Sequence, residues 1–342
     1  MNHPSSSRKF AFWMLVGMFS VVFVEVPSGS TMFPFFTLWG LLVVLPLYLL
    51  HSVFLMAVIF AFGRPNFWTL YSAGTLFGMY EAYITKVVWT SFRPEGPWIT
   101  VGGIALFETM ILVLFLHPLL AFVVPMLFTE ILCTNSSEIA QGLPARAHGF
   151  VRRHPALVIG LLMGLLGLMQ FVNSPSVLHS FLSSAGNSLM LGLALLWWRK
   201  RGGGNYSLRE LLPGPRGLRI FGGLLVCFYL FWGWAIKPKA IPSVWPGQLT
   251  VWLIYAGLFY VFLRCLRQSR QGTGSALSTS APAPPFQFSW RGFVLACALA
   301  SVVTTIARMV LFPFAFVQIL CLFTMFLVAG LFLLTGLLMH SR

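Results

Sequence analysis

Ten long apolar runs, separated by short polar stretches, pattern the chain. Their approximate spans are 10–26, 34–62, 67–92, 98–132, 155–172, 178–198, 218–235, 244–266, 290–312 and 314–339. Most reach the ~20 residues an α-helix needs to cross ~30 Å of hydrocarbon. Lipid offers no partner to a free backbone N–H or C=O, so segments this apolar predict helices. The expected fold class is all-α, a polytopic integral membrane helix bundle of about ten transmembrane helices. The fourth run reads either as one kinked helix or as two, because Pro118 and Pro125 fall in its second half. Residues 1–266 are expected to form an eight-helix membrane bundle. Residues 267–289, rich in Gly, Ser, Ala and Pro, read as a flexible cytoplasmic linker. Residues 290–342 read as a two-helix transmembrane hairpin packed on the bundle.

Composition supports lipid as the solvent. The chain is 58% hydrophobic and only 8% charged, against ~25% charged in soluble domains. The charge is lopsided, with 22 Lys and Arg against seven acidic residues, all Glu. In a soluble protein a net charge of +15 would suggest nucleic acid. Here the basic residues gather at the ends of apolar runs and no nucleic-acid motif is visible, so no nucleic-acid partner is expected.

That charge also orders the topology. With the fourth run as one crossing and Arg8 and Lys9 inside, 17 basic residues fall on inner loops or termini. Only Arg93, Lys237 and Lys239 fall outside, while Lys86 and Arg308 lie within spans. The positive-inside bias therefore prefers ten crossings with both termini cytoplasmic, in the cell (plasma) membrane. Trp89, Trp98 and Trp245 at outer ends, and Trp68, Trp197, Trp198 and Trp290 at inner ends, suit an aromatic belt. The first run resembles a signal peptide in outline. Pro27 and the lack of an Ala-x-Ala site favour a retained helix. Membrane lipids are the expected partners. The basic loop Arg199–Arg219 would suit anionic head groups, although plain positive-inside anchoring explains it more simply. Asn135 and Asn205 open chance sequons on inner loops, and the five cysteines read as apolar fillers. No cofactor or metal site is indicated.

Ionisable groups within apolar spans are costly and usually face protein or water. The candidates for a substrate or proton/ion site are Glu81, Arg308, Glu108, Lys86 and Glu25, with Asn187 and Gln248 beside them. All fall in the expected outer half, whereas the inner half offers mainly Glu130 at its rim, with His51 and His117 near the middle. Gly74, Gly78, Glu81 and Thr85 share one helical face, so Glu81 is expected to point into the bundle. Ser180, Ser183, Ser184 and Asn187 form a second polar stripe, and Ser301, Thr304, Thr305 and Arg308 a third. Together the stripes suggest one outer cavity in which Glu81 meets Arg308. His51 and His117 read as structural hydrogen-bonded residues, His117 serving a carbonyl freed by Pro118. Gly160-x-x-x-Gly164 reads as helix packing.

Three functions compete. Intramembrane carboxylates beside a cation suit a transporter moving protons or ions. The helix count resembles that of the drug/metabolite transporter superfamily, in count alone, since no internal repeat is visible. The one-sided polar distribution suits a membrane-embedded enzyme acting on a lipid-linked or extracytoplasmic substrate. A scaffold subunit would use the same charges structurally. The reading leans slightly to transport.

Overall fold

The computed structural model describes residues 3–92, 95–243, 245–271 and 290–341. Most of the expected linker (272–289), Arg93 and Arg342 lie outside the described residues. Ten long helices, labelled α1–α10, follow the apolar runs, and the short helices between them are left unlabelled. They are α1 (Ser6–Ser28), α2 (Gly40–Phe62), α3 (Phe67–Ile84), α4 (Leu106–Cys133) and α5 (Pro155–Asn173). The remainder are α6 (Val177–Lys200), α7 (Pro215–Ala235), α8 (Trp245–Gln271), α9 (Trp290–Val310) and α10 (Ala315–His340). Among the described residues nine of these are long and apolar enough to cross a membrane. The tenth, α3, has 18 residues and is more polar, carrying Thr69, Ser72, Thr75 and Glu81. Helix α8 continues to Gln271, into the stretch expected to be linker.

The fourth run is a single helical rod, and it starts later than expected. Residues 100–105 form a tiny antiparallel hairpin, with Thr100 opposite Ala105. Gly102 and Gly103 turn it with φ of 59° and 79°, the left-handed pair that a tight two-residue hairpin turn requires. From Leu106 the rod runs α-helical to Ile111, π-helical over Leu112–Val123, and α-helical again to Cys133. Pro118 sits inside the π stretch. In a π turn its nitrogen faces the Val113 carbonyl five residues back and has no proton to give it. The Tyr71 hydroxyl of α3 donates to the neighbouring Leu114 carbonyl at 2.7 Å.

Contacts divide the chain into two compact units. The first is Met1–Val53, Val124–Pro213 and Ala276–Leu322, and the second is Phe54–Val123, Gly214–Ser275 and Phe323–Arg342.

In the first unit α1 is the axis. Gly17 lets α2 approach so closely that an added Cβ would lie 2.8 Å from Leu49 Cβ. Phe12 packs on Trp198 and Phe23 on Phe128. Gly167 of α5 similarly admits α9, an added Cβ meeting Val303 at 3.0 Å. Trp198 is not part of an interfacial belt: it is buried over Gly203 and donates to the Cys133 carbonyl. Trp197 is half exposed and fits the belt. Gly160 and Gly164 have nothing within 4 Å of an added Cβ, so among the described residues they pack against no other helix. The basic loop after α6 is structured. Asn205 accepts from Asn135, Arg209 forks onto Glu138, and a capping box joins Ser207 to Glu210.

In the second unit α3 and α4 pack almost backbone to backbone. A Cβ at Gly74 would overlap Pro118, and one at Gly78 would sit 3.0 Å from His117 Cβ, Leu112 O and Val113 Cα. Small residues at i and i+4 permit this approach. Helix α10 joins them, with Phe326 stacked on Phe115 and Gly330 against Leu114.

Candidate functional site

The close approach of α3 and α4 sets the geometry of the second unit's polar centre. Glu81 lies one turn beyond Gly78 and is buried, as its face predicts. Its Oε2 lies 3.6 Å from Nε2 of His117, whose side chain is 2% exposed. Phe77 meets the imidazole edge to face at 5.3 Å. At 3.6 Å the carboxylate and the imidazole lie just beyond direct hydrogen-bond distance and close enough that the charge on one acts on the other. His117 was read from the sequence as structural. Its place next to Pro118 in mid-span is the one sequence signal that marks it.

Lys86 follows α3 in the left-handed region, φ 65°. Its side chain is fully buried and forms no ion pair among the described residues. It donates instead to the carbonyls of Tyr83 (3.2 Å), Ile84 (3.1 Å) and Gly233 (2.6 Å). These carbonyls end α3 and α7, where helix dipoles concentrate negative charge. Three donors and three acceptors make Lys86 a tie between two helix ends. The Tyr83 ring, 5.0 Å away, adds a cation–π contact.

Glu108 is fully buried in the first turn of α4 and accepts from Ser91 Oγ at 2.8 Å and the Trp98 N–H at 3.4 Å. Ser91 has φ 72° and ψ 161°, a region that is essentially confined to glycine. A strained residue whose side chain holds a buried carboxylate is a mark of function in many sites. Gln248 is half-buried and donates to Pro242 O at 2.8 Å, a local loop contact.

The first unit holds the other candidates. Buried Glu25 accepts from the Tyr48 hydroxyl at 2.5 Å and from Thr31. Two of the expected polar stripes meet here, with Ser301 Oγ donating to Ser184 Oγ at 3.0 Å. Asn187 and Ser183 both donate to the Met32 carbonyl, at 2.7 and 2.6 Å. A cavity of about 40 Å³, bordered by Gln170, Ser184, Asn187, Ser188 and Cys297, lies beside them. That is room for a few waters. Arg308 is half-exposed, donates to Pro175 O at 2.9 Å and lies over the Phe312 ring, 3.4 Å from its centroid. Glu81 and Arg308 thus belong to different units, each with contacts in its own. Glu130 accepts the N–H groups of Ile139 and Ala140, a structural cap at the end of α4.

Long apolar helices enclosing buried carboxyl, imidazole and ammonium groups define a polytopic α-helical membrane protein. The chain belongs to an uncharacterized membrane protein family, whose model matches residues 14–341. It is similar to a relative described as an uncharacterized protein in Archaeoglobus fulgidus, 33% identical over 255 residues, which cover 75% of this chain and 78% of the relative. No solved structure matches it.

Proposed function

We propose that the protein is a proton-coupled transporter whose proton carrier is the Glu81–His117 pair. The carrying observation is the placement of that pair: a buried carboxylate 3.6 Å from an imidazole, on a π-helical stretch containing Pro118. Ionisable groups inside membranes tend to mark proton or substrate paths. Transporters build such sites from interrupted helices, and π turns recur at functional positions. Taking up a proton turns the pair into a carboxylate–imidazolium ion pair, and releasing it removes that attraction. The α3–α4 crossing, which has glycine at its centre, is then free to shift. Within the second unit, Glu108 with its Ser91 partner is a further buried carboxyl for this path; Glu25 with Tyr48 is a separate buried carboxyl of the first unit. Asn187 and Arg308 supply polar groups in the first unit and Gln248 in the second, while Lys86 acts as a tie.

The test uses the full chain in liposomes loaded with a pH-sensitive dye and challenged with pools of ionic and neutral solutes. A solute that drives proton movement in the wild type, but not in Glu81→Gln or His117→Gln, supports the reading. Retained solute-for-solute exchange in those variants would further separate proton coupling from binding. The reading is overturned if proton movement in both variants matches the wild type, or if no pool drives any.

A further inference from the structure

The second unit carries a feature that proton coupling does not use. Along α8, Phe259, Phe262, Leu263, Leu266, Arg267 and Arg270 recur at three- and four-residue spacing and form one stripe. It is apolar for two turns and basic at its end. The stripe lines a cavity of about 510 Å³, whose opposite wall is the second half of α2. That volume is within the roughly 300–1,000 Å³ of ordinary ligand sites. The basic end is built. Gly63 admits α8 so closely that an added Cβ would lie 2.6 Å from Ser269 Oγ. The Arg64 N–H donates to that hydroxyl at 3.0 Å. Arg267 and Arg270 are exposed and make no hydrogen bond or ion pair among the described residues. None of the described Glu residues lies on α2 or α8.

We infer that this groove binds one anionic glycerophospholipid, an acyl chain lying along α2 and α8 and its phosphate held by Arg267 and Arg270. An apolar stripe about 10 Å long, from residue 259 to residue 266 at ~1.5 Å per residue, suits the upper part of an acyl chain. Two guanidinium groups at one end, unpaired among the described residues, suit a phosphodiester, which Arg can fork onto. Positive-inside anchoring would explain the arginines but not the groove continuous with them.

The test is lipid binding to the detergent-purified full chain, counted by native mass spectrometry with phosphatidylglycerol or phosphatidylcholine. The wild type is expected to retain phosphatidylglycerol in preference to phosphatidylcholine. Replacing both arginines (Arg267→Gln with Arg270→Gln) should weaken phosphatidylglycerol about thirtyfold, at about fivefold per arginine near an anionic head group. Filling the groove with Val58→Phe or Leu263→Trp should weaken it with the arginines intact, while thermal unfolding confirms that the variants fold. Equal retention of the two lipids would overturn the inference. So would loss on arginine removal with no loss on groove filling, which would mark surface attraction only. Displacement of lipid by a second copy of the chain, seen as a dimer that groove filling abolishes, would also overturn it.

Discussion

A charge buried in hydrocarbon has to be answered by something, and the candidates here are answered in different ways. Glu81 is answered by an imidazole that can itself take up the proton. Lys86 is answered by three backbone carbonyls that cannot. The proposed role of the Glu81–His117 pair rests on that difference. Lys86→Met should therefore leave three carbonyls without their donor and lower the stability of the detergent-solubilised protein by roughly 3 kcal/mol or more, since hydrogen bonds to charged groups are worth about 1.5–3 kcal/mol each. The folded fraction should still move protons as the wild type does. Denaturant unfolding alongside the liposome assay checks both parts. Full stability with lost proton movement would instead put Lys86 on the path.

At the scale of elements, the α3–α4 crossing is the contact on which the site depends. Gly74→Ala would drive a methyl into the Pro118 backbone, where no side chain can rotate away. Overpacking of this kind costs about 1–3 kcal/mol. Gly160→Ala and Gly164→Ala meet open space and should change stability by no more than about 0.5 kcal/mol. Parallel thermal unfolding of the three variants compares them, and equal effects would mean that α3 and α4 do not meet at glycine. Both glycine pairs share the same four-residue spacing, so the motif alone does not tell them apart. The face containing Gly74, Gly78 and Glu81 was legible because helical periodicity fixes it. The partner was not, because hydropathy locates helices along the chain without saying which of them are neighbours. For the same reason the pattern does not show that Tyr71 of α3 donates to the Leu114 carbonyl of α4. The π stretch left no mark in the pattern, since a wider turn changes no residue type. The Gly102–Gly103 turn was readable in principle, but it is embedded in an apolar run that looks helical by composition.

At the scale of the whole chain, the question is which side of the membrane each loop occupies. Helix α3 falls short of the other nine in apolarity, yet its 18 residues extend about 27 Å at ~1.5 Å per residue. That is close to the ~30 Å of hydrocarbon, and a further short helix follows at Val87–Thr90. Counting α3 as a crossing gives an even number of passes, so both termini share a side. The loops carrying Arg199–Arg219 and residues 272–289 then share that side too, and Lys237 and Lys239 face the other. The basic residues then divide 17 to three in favour of the inner side, the bias that insertion imposes on short loops. If α3 did not cross, every later loop would invert, and the most basic segments would lie outside. The expectation is that a cysteine placed at Ser278 escapes a membrane-impermeant thiol reagent in intact cells and reacts after permeabilisation. A cysteine placed at Lys239 should react in intact cells. The native cysteines lie within or at the ends of helices, so wild-type labelling sets the background. Reaction at 278 with protection at 239 would mean an even number of crossings before α8, with α3 the helix that fails to span.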